Sequence, residues 1–244
     1  MEWRDEGVLL TVRRHGEDAA ILDVMTRDHG RHAGIVRGGA SRRMAPLLQP
    51  GAQLSLEWRA RLDAHLGAYR VELARSRAAG LMASGDALAA LAAIAALLCA
   101  YLAEREPHPA LYAATTGLLD RICSDADWPA GYVGWEVMLL AEIGYPLDLS
   151  VCAATGATED LVWVSPRTGR AISAAAGAPY APKLLALPAF FTGGAADAAG
   201  LAEGLALTGH FLRRWVAPAF GASAPPAARD RLVERLLRRR DRSD

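Results

Sequence analysis

Over roughly the first third of the chain, apolar and polar residues alternate in short runs; beyond it the alternation gives way to long stretches rich in alanine and leucine. Alternation with period two marks half-buried strands, whereas apolar residues recurring three and four positions apart mark helices. Gly7 to Arg14 and Ala19 to Thr26, rich in Val, Ile and Leu, predict two strands joined by the hairpin signature His15, Gly16, Glu17, Asp18. Arg31 to Arg37 predicts a third strand. After a loop from Gly38 to Gly51, Leu54, Leu56 and Trp58 alternate with Gln53, Ser55, Glu57 and Arg59 as a fourth, and Gly67 to Arg75 supplies a fifth.

From Ala78 onward helical spacing takes over. Ser84 is placed to cap a helix running to about Glu104, and Pro107 to Cys123 and Ala130 to Gly144 predict two more. Trp135, Met138, Leu139 and Ile143 form an apolar stripe that reads as core. Leu149 to Ser173 breaks the helical run, with Leu161 to Pro166 and Gly169 to Ser173 flanking a turn as a short hairpin. Helix is expected again from Pro182 to Gly221, its longest piece being Asp197 to Ala217. Pro225 opens a last helix with Leu232, Val233, Leu236 and Leu237 on one face and arginines on the other. Arg238 to Arg240 at its C-terminal end suit the helix dipole.

Five short strands without crossover helices are too few for a sandwich and suggest a small closed or partly closed barrel of OB type. The expected architecture is therefore α+β: an OB-fold barrel over residues 1–77, then a mainly helical domain over 78–244 with a ribbon-like insertion at about 149–176. OB barrels bind oligonucleotides, but they also host unrelated functions, so the fold alone does not assign one.

At 244 residues, with 52% hydrophobic and 22% charged content, the chain has ample material for two cores, and disorder is excluded. Its formal net charge is +0, so attraction for nucleic acid has to come from local clusters. Met25 to Pro50 holds the densest such cluster outside the last helix: Arg27, Arg31, Arg37, Arg42 and Arg43. Arg27, Arg31 and Arg37 occupy odd-numbered positions, so those within one strand project to the same face, while Arg42 and Arg43 follow the glycine pair Gly38 and Gly39. A turn with solvated arginines satisfies the same composition. Lys183 is the single lysine, which a GC-rich genome explains, although arginine also suits bidentate phosphate contacts. Cys99, Cys123 and Cys152 imply no disulfide framework and point to a reducing cytosol. No secretory signal follows Met1, and the apolar run Ala87 to Ala103 is shorter than the ~20 residues of a membrane span.

Phosphate-loop, nucleophile-elbow and zinc-protease signatures are absent, and the carboxylate pairs Glu17 with Asp18 and Glu159 with Asp160 fall in expected loops, so no catalytic residue is assigned. The hairpin segment resembles a zinc ribbon, but Thr155, Ser173 and Ala176 stand where further ligands beside Cys152 would fall, and zinc is not expected. His29 and His32 have no thiol nearby and only Asp28 as an adjacent carboxylate, too few donors for a metal, and read as turn or surface histidines.

The order of these parts resembles the bacterial DNA repair protein RecO family. The resemblance is carried by the early strand pair, the T-x-x-H-G-R segment at Thr26 to Arg31, the V-R-G-G-x-S-R-R loop at Val36 to Arg43, the exit Leu48, Gln49, Pro50, and the ribbon Cys152 to Ser173. It implies a cytoplasmic recombination mediator, associated with the nucleoid when bound to DNA. Such a mediator binds single- and double-stranded DNA, anneals complementary strands, contacts the C-terminal tail of single-stranded DNA-binding protein, and acts with RecR to load RecA. Family members with intact cysteine pairs bind zinc; here only Cys152 remains. With that implication, Arg13, Arg14, Arg27, Arg31, Arg37, Arg42 and Arg43 are the expected DNA contacts. An acidic tail ending in an apolar residue would need a cation beside an apolar pocket, for which Arg105 and Arg121 are the candidates, structural ion pairing being the other role open to them. The alternative function is an adaptor whose barrel binds protein. An enzyme assembled only by folding is a third.

Overall fold

The computed structural model describes residues 1–62, 64–124 and 127–240, without the side chains of Arg239 and Arg240. Of the expected basic end of the last helix, Arg238 is thus described in full, and residues 241–244 lie outside the described residues. The chain divides into two compact units, Met1–Asp125 and Ala126–Asp244.

In the first unit β1 (Glu2–His15), β2 (Ala19–Thr26), β3 (Arg31–Val36), β4 (Gln53–Arg59) and β5 (Ala68–Arg75) close into a barrel in the order β1-β2-β3-β5-β4. This is an OB-type sheet. β1 begins five residues earlier than its apolar run predicted. Its first half pairs with β4, from Glu2 opposite Arg59 to Val8 opposite Gln53, while Gly7 to His15 pair with β2. A register shift between Leu9 and Thr11 lets one strand serve two neighbours, the bend that closes the barrel. Glu2, Arg4 and Glu6 hide this strand in the sequence because Trp3 and Asp5, on the opposite parity, carry the inward face.

The barrel core is Leu9, Leu22, Val24, Val36, Leu54, Leu56, Trp58 and Tyr69, all buried. Each fully buried aliphatic side chain contributes about 1.5–3 kcal/mol. Gly34 sits where a Cβ would come within 2.4 Å of the Tyr69 ring, so β3 can lie over that ring only with glycine there. β3 and β5 meet at one register pair among the described residues, Ile35 opposite Ala68. Past it the two strands part.

α1 (Ala78–Met82), α2 (Gly85–Tyr101) and α3 (Pro109–Ser124) complete this unit. The Ser84 hydroxyl accepts from the Asp86 N–H at 3.1 Å, the expected cap. α2 stops at Tyr101, short of Glu104, because the next residues are drawn to the barrel. Arg105 donates its N–H to the Arg31 carbonyl at 2.8 Å and takes a positive φ of 66°. Arg77 joins strands to helices: its buried guanidinium donates to Asp120 of α3 at 2.6 Å and to the Gly51 carbonyl at 3.1 Å. Barrel and helices α1–α3 therefore share one hydrogen-bonded body.

The second unit opens with α4 (Trp128–Glu142). β6 (Leu161–Val164) and β7 (Ala171–Ser173) form the expected hairpin, followed by the short α5 (Ala174–Gly177). Helix was expected from Pro182, but prolines 179, 182 and 188 confine this stretch to short 3-10 turns, and β8 (Leu185–Ala186) joins β6 as a third strand. α6 (Ala198–Phe211), capped by Asp197, passes through a π turn at Leu212–Val216 into α7 (Ala217–Ala219); α8 (Ala227–Arg240) is last. A buried network ties these helices together. Arg229 holds Glu136 in a two-bond grip at 2.6 and 2.9 Å, and Tyr132 and Thr208 donate to the same carboxylate. Among the described residues no helix is long and apolar enough to cross a membrane.

Candidate nucleic-acid interface

The strand register sorts the expected arginines into two groups. Arg14 lies opposite Ala20, Ala20 lies opposite Val36, and the Ala40 N–H donates to the Asp18 carbonyl at 3.0 Å. The β1–β2 turn and the exit of β3 are therefore at the same end of the barrel. Arg13, Arg14, Arg37, Arg42 and Arg43 gather there, all exposed, and none makes an ion pair or side-chain hydrogen bond among the described residues. The loop carrying the last two is built of consecutive turns. Gly38 has a φ of 69°, Ser41 accepts from the Met44 N–H, and buried Leu48 with Met44 fastens the loop to the barrel core. Unpaired guanidinium groups on a fastened loop form a positive surface with its charges free for phosphate.

Arg27 and Arg31 sit at the opposite end, where Thr26 pairs with Gly7 and Arg31 with Met25. Arg31 and Arg37 share an outward parity, as expected, but they are about 20 Å apart along the strand. Arg31 departs from the expected surface. Its side chain is 13% exposed and donates to Asp23 at 2.6 Å and to the Leu102 carbonyl at 3.2 Å, with Glu104 at 3.6 Å. Burial raises the Asp23 carboxyl above its usual range, with Arg31 opposing the shift. Arg27 pairs with its neighbour Asp28 at 2.9 Å in full solvent.

The same end holds the histidines. His29 Nδ1 lies 2.8 Å from an Asp5 carboxylate oxygen, which accepts from it, and the ring stacks on Trp3 with ring centres 4.1 Å apart. His32, expected in a turn or at the surface, is instead 2% exposed inside the barrel, edge-on to Trp3, Trp58 and Tyr69. Its even parity on β3 decides this. Burial lowers its pKa, leaving a neutral ring at pH 7.

Arg105 and Arg121 are not brought together. Arg105 precedes α3 and donates to the His65 carbonyl at 2.9 Å, whereas Arg121 is exposed in the last turn of α3. At Cys152 the donor set is wrong for zinc. The sulfur accepts the Ser173 N–H at 3.3 Å and lies 3.5 Å from its hydroxyl; hydrogen bonds from Ser173 and then Thr155 pull the thiol down to about 6, burial opposing. Hydroxyls hydrogen-bonded to a sulfur do not replace thiolates around a metal. Among the described residues no three His, Cys, Asp or Glu side chains are grouped to hold an ion.

Two arginines that the strand pattern did not single out line a cleft of about 400 Å³ beside Arg37: Arg59 and Arg70, on β4 and β5. Outward parity next to inward Trp58 and Tyr69 was the available signal. Their nearness to Arg37 required the barrel to close.

Residues 1–77 match the family model described as Recombination protein O N terminal, and residues 82–224 the one described as Recombination protein O C terminal. DNA repair protein RecO of Ruegeria sp. (strain TM1040) is 54% identical over 240 residues, covering 98% of this chain and 100% of the relative. The protein of that name from Cereibacter sphaeroides is 54% identical over 239 residues, covering 98% and 99%. The one from Dinoroseobacter shibae is 50% identical over 240 residues, covering 98% and 100%. With both halves matched in order and relatives aligned end to end, the chain belongs to the RecO family of DNA repair proteins.

Proposed function

We propose that this protein is a recombination mediator without catalytic residues of its own, which binds single- and double-stranded DNA and anneals complementary strands. In this reading it acts with RecR to help RecA load on DNA coated by single-stranded DNA-binding protein, in the cytoplasm and on the nucleoid. The observation that carries it is the group of five exposed arginines at one end of the barrel, Arg13, Arg14, Arg37, Arg42 and Arg43, none of which makes an ion pair among the described residues. Arginine grips phosphate whatever the sequence, so the choice of partner strand is left to base pairing. Arg27 and Arg31, at the other end, contribute less to this surface or nothing.

Residues 1–77 then serve as the DNA-binding module and 78–244 as the part that meets proteins, with the ribbon-like hairpin at about 149–176 as a metal-free insertion. Of the two cations considered for the acidic tail of single-stranded DNA-binding protein, Arg121 is the more exposed. The test is strand annealing in the absence of ATP, followed over a salt series. The expected result is accelerated pairing of complementary oligonucleotides that weakens steeply with salt. Binding that ignores salt, with no acceleration, would favour a protein adaptor and overturn the reading.

A further inference from the structure

The arginine end of the barrel continues into the cleft beside Arg37. Past Ile35 and Ala68 the strands β3 and β5 part, and the opening is lined by Val36, Met44, Ala68, Tyr69 and Val71 as an apolar floor. Arg37, Arg59, Arg70 and Glu57 supply its charge. Glu57 is already taken: Arg59 bonds it at 2.5 Å, Arg4 stands 3.8 Å away, and the Arg59 hydrogen bond holds its carboxyl below the usual range. Arg37 and Arg70 are exposed and make no ion pair or side-chain hydrogen bond among the described residues, leaving the cleft with unsatisfied positive charge. Met44 is two residues from Arg42 in the same loop, so floor and phosphate-facing arginines are continuous.

We propose that this cleft seats an unpaired nucleotide of single-stranded DNA, its base against Val36, Met44 and Val71 and its flanking phosphates on Arg37 and Arg70. The inference rests on the DNA-binding reading above and adds to it a place where the protein tells single strand from duplex. A duplex keeps its base faces stacked and offers only phosphate, which an apolar floor cannot use. An unpaired base has a free face, and covering it removes apolar surface from water on both sides. At about 400 Å³ the cleft is within the size range of small-ligand sites, roughly 300–1,000 Å³. Only one or two nucleotides fit such a space, so the rest of a bound strand lies along Arg42 and Arg43.

The test compares full-length wild type, Arg70→Ala, Met44→Glu and the Arg42→Glu/Arg43→Glu double variant. Each is titrated by fluorescence anisotropy with an oligothymidylate, a backbone of the same length lacking bases, and a duplex. Arg70→Ala removes an exposed side chain and leaves the fold intact. It is expected to weaken single-strand binding about fourfold at about 0.15 M salt and to lower the salt slope by about 0.7, with duplex affinity unchanged. Met44→Glu is expected to abolish the preference for the strand with bases over the strand without them. The cleft assignment is overturned if both variants match wild type while the double variant loses affinity. It is also overturned if Arg70→Ala keeps the strand but loses an acidic peptide that wild type binds, which would make the cleft a protein site. Failure of wild type to bind any of the three DNAs would remove the DNA reading itself.

Discussion

The two ends of the barrel use the same residue type for opposite purposes. At one end Arg13, Arg14, Arg37, Arg42 and Arg43 face solvent with no ion pair among the described residues; at the other Arg31 is held by Asp23, Arg27 by Asp28, and buried Asp5 faces His29. Arg27 and Arg31 at one end and Arg37, Arg42 and Arg43 at the other come from one stretch of sequence. What separates them is the supply of carboxylates: folding brings Asp23 and Glu104 to Arg31 and, among the described residues, brings no carboxylate to within ion-pairing distance of Arg42 or Arg43. An arginine with a buried acid beside it is part of the scaffold, and one without is a site for an external anion.

The sharpest way to break this comparison is to reverse the open end. Arg42→Glu/Arg43→Glu removes two of the proposed phosphate contacts and adds repulsion, so single-strand affinity should fall on the order of a hundredfold at about 0.15 M salt, with the denaturant midpoint unchanged. An unchanged titration curve would show the open end to be solvated surface. The mirror experiment is Arg31→Ala. Leaving Asp23 without its cation should cost about 2–3 kcal/mol of stability by denaturant unfolding, while DNA affinity changes by less than about twofold. A DNA defect at full stability would place Arg31 in the interface after all.

Smaller effects sharpen the same contrast. Burial already holds the Asp23 carboxyl above its ordinary value, and loss of Arg31 removes an opposing influence, raising it further. The folded state then binds this proton more tightly than the unfolded one. The contribution of that carboxyl is complete below the ordinary carboxylate range, about pH 4, and is lost as pH rises through the raised folded value. The stability deficit of Arg31→Ala should therefore shrink on acidification from neutral pH towards about 4, read as denaturant midpoints against pH. Least of all should follow from Arg27→Ala. Its pair with the adjacent Asp28 stands in solvent, where screening leaves it little weight, and both stability and DNA affinity should stay within error.

The elements that could be read directly are those whose signal is local. Leu54, Leu56 and Trp58 alternate and are buried on one face of β4; Ser84 caps α2; Leu232 and Leu236 face inward from α8. The elements hidden in the sequence are those set by a distant partner or interrupted by proline. The start of β1 looked polar because its neighbour β4 lies some fifty residues on, and the helix expected from Pro182 gave way to 3-10 turns and β8 where prolines interrupt it. His32 is enclosed because of the parity of a strand whose register is set by β2.

By itself the sequence determined the barrel strands, most of the helices, the lack of a paired cysteine beside Cys152, and the presence of a concentrated arginine segment. These follow from period, capping and residue chemistry, which act over a few residues. Tertiary structure alone decided which arginines are free. The partners of Arg31, Arg77 and Arg229 lie at Asp23, Asp120 and Glu136, in the last two cases across tens of residues of chain. The cleft that groups Arg37 with Arg70 exists only because β3 and β5, far apart in sequence, close the barrel and then part. Charge neutralisation depends on distance in space, and only folding sets that distance.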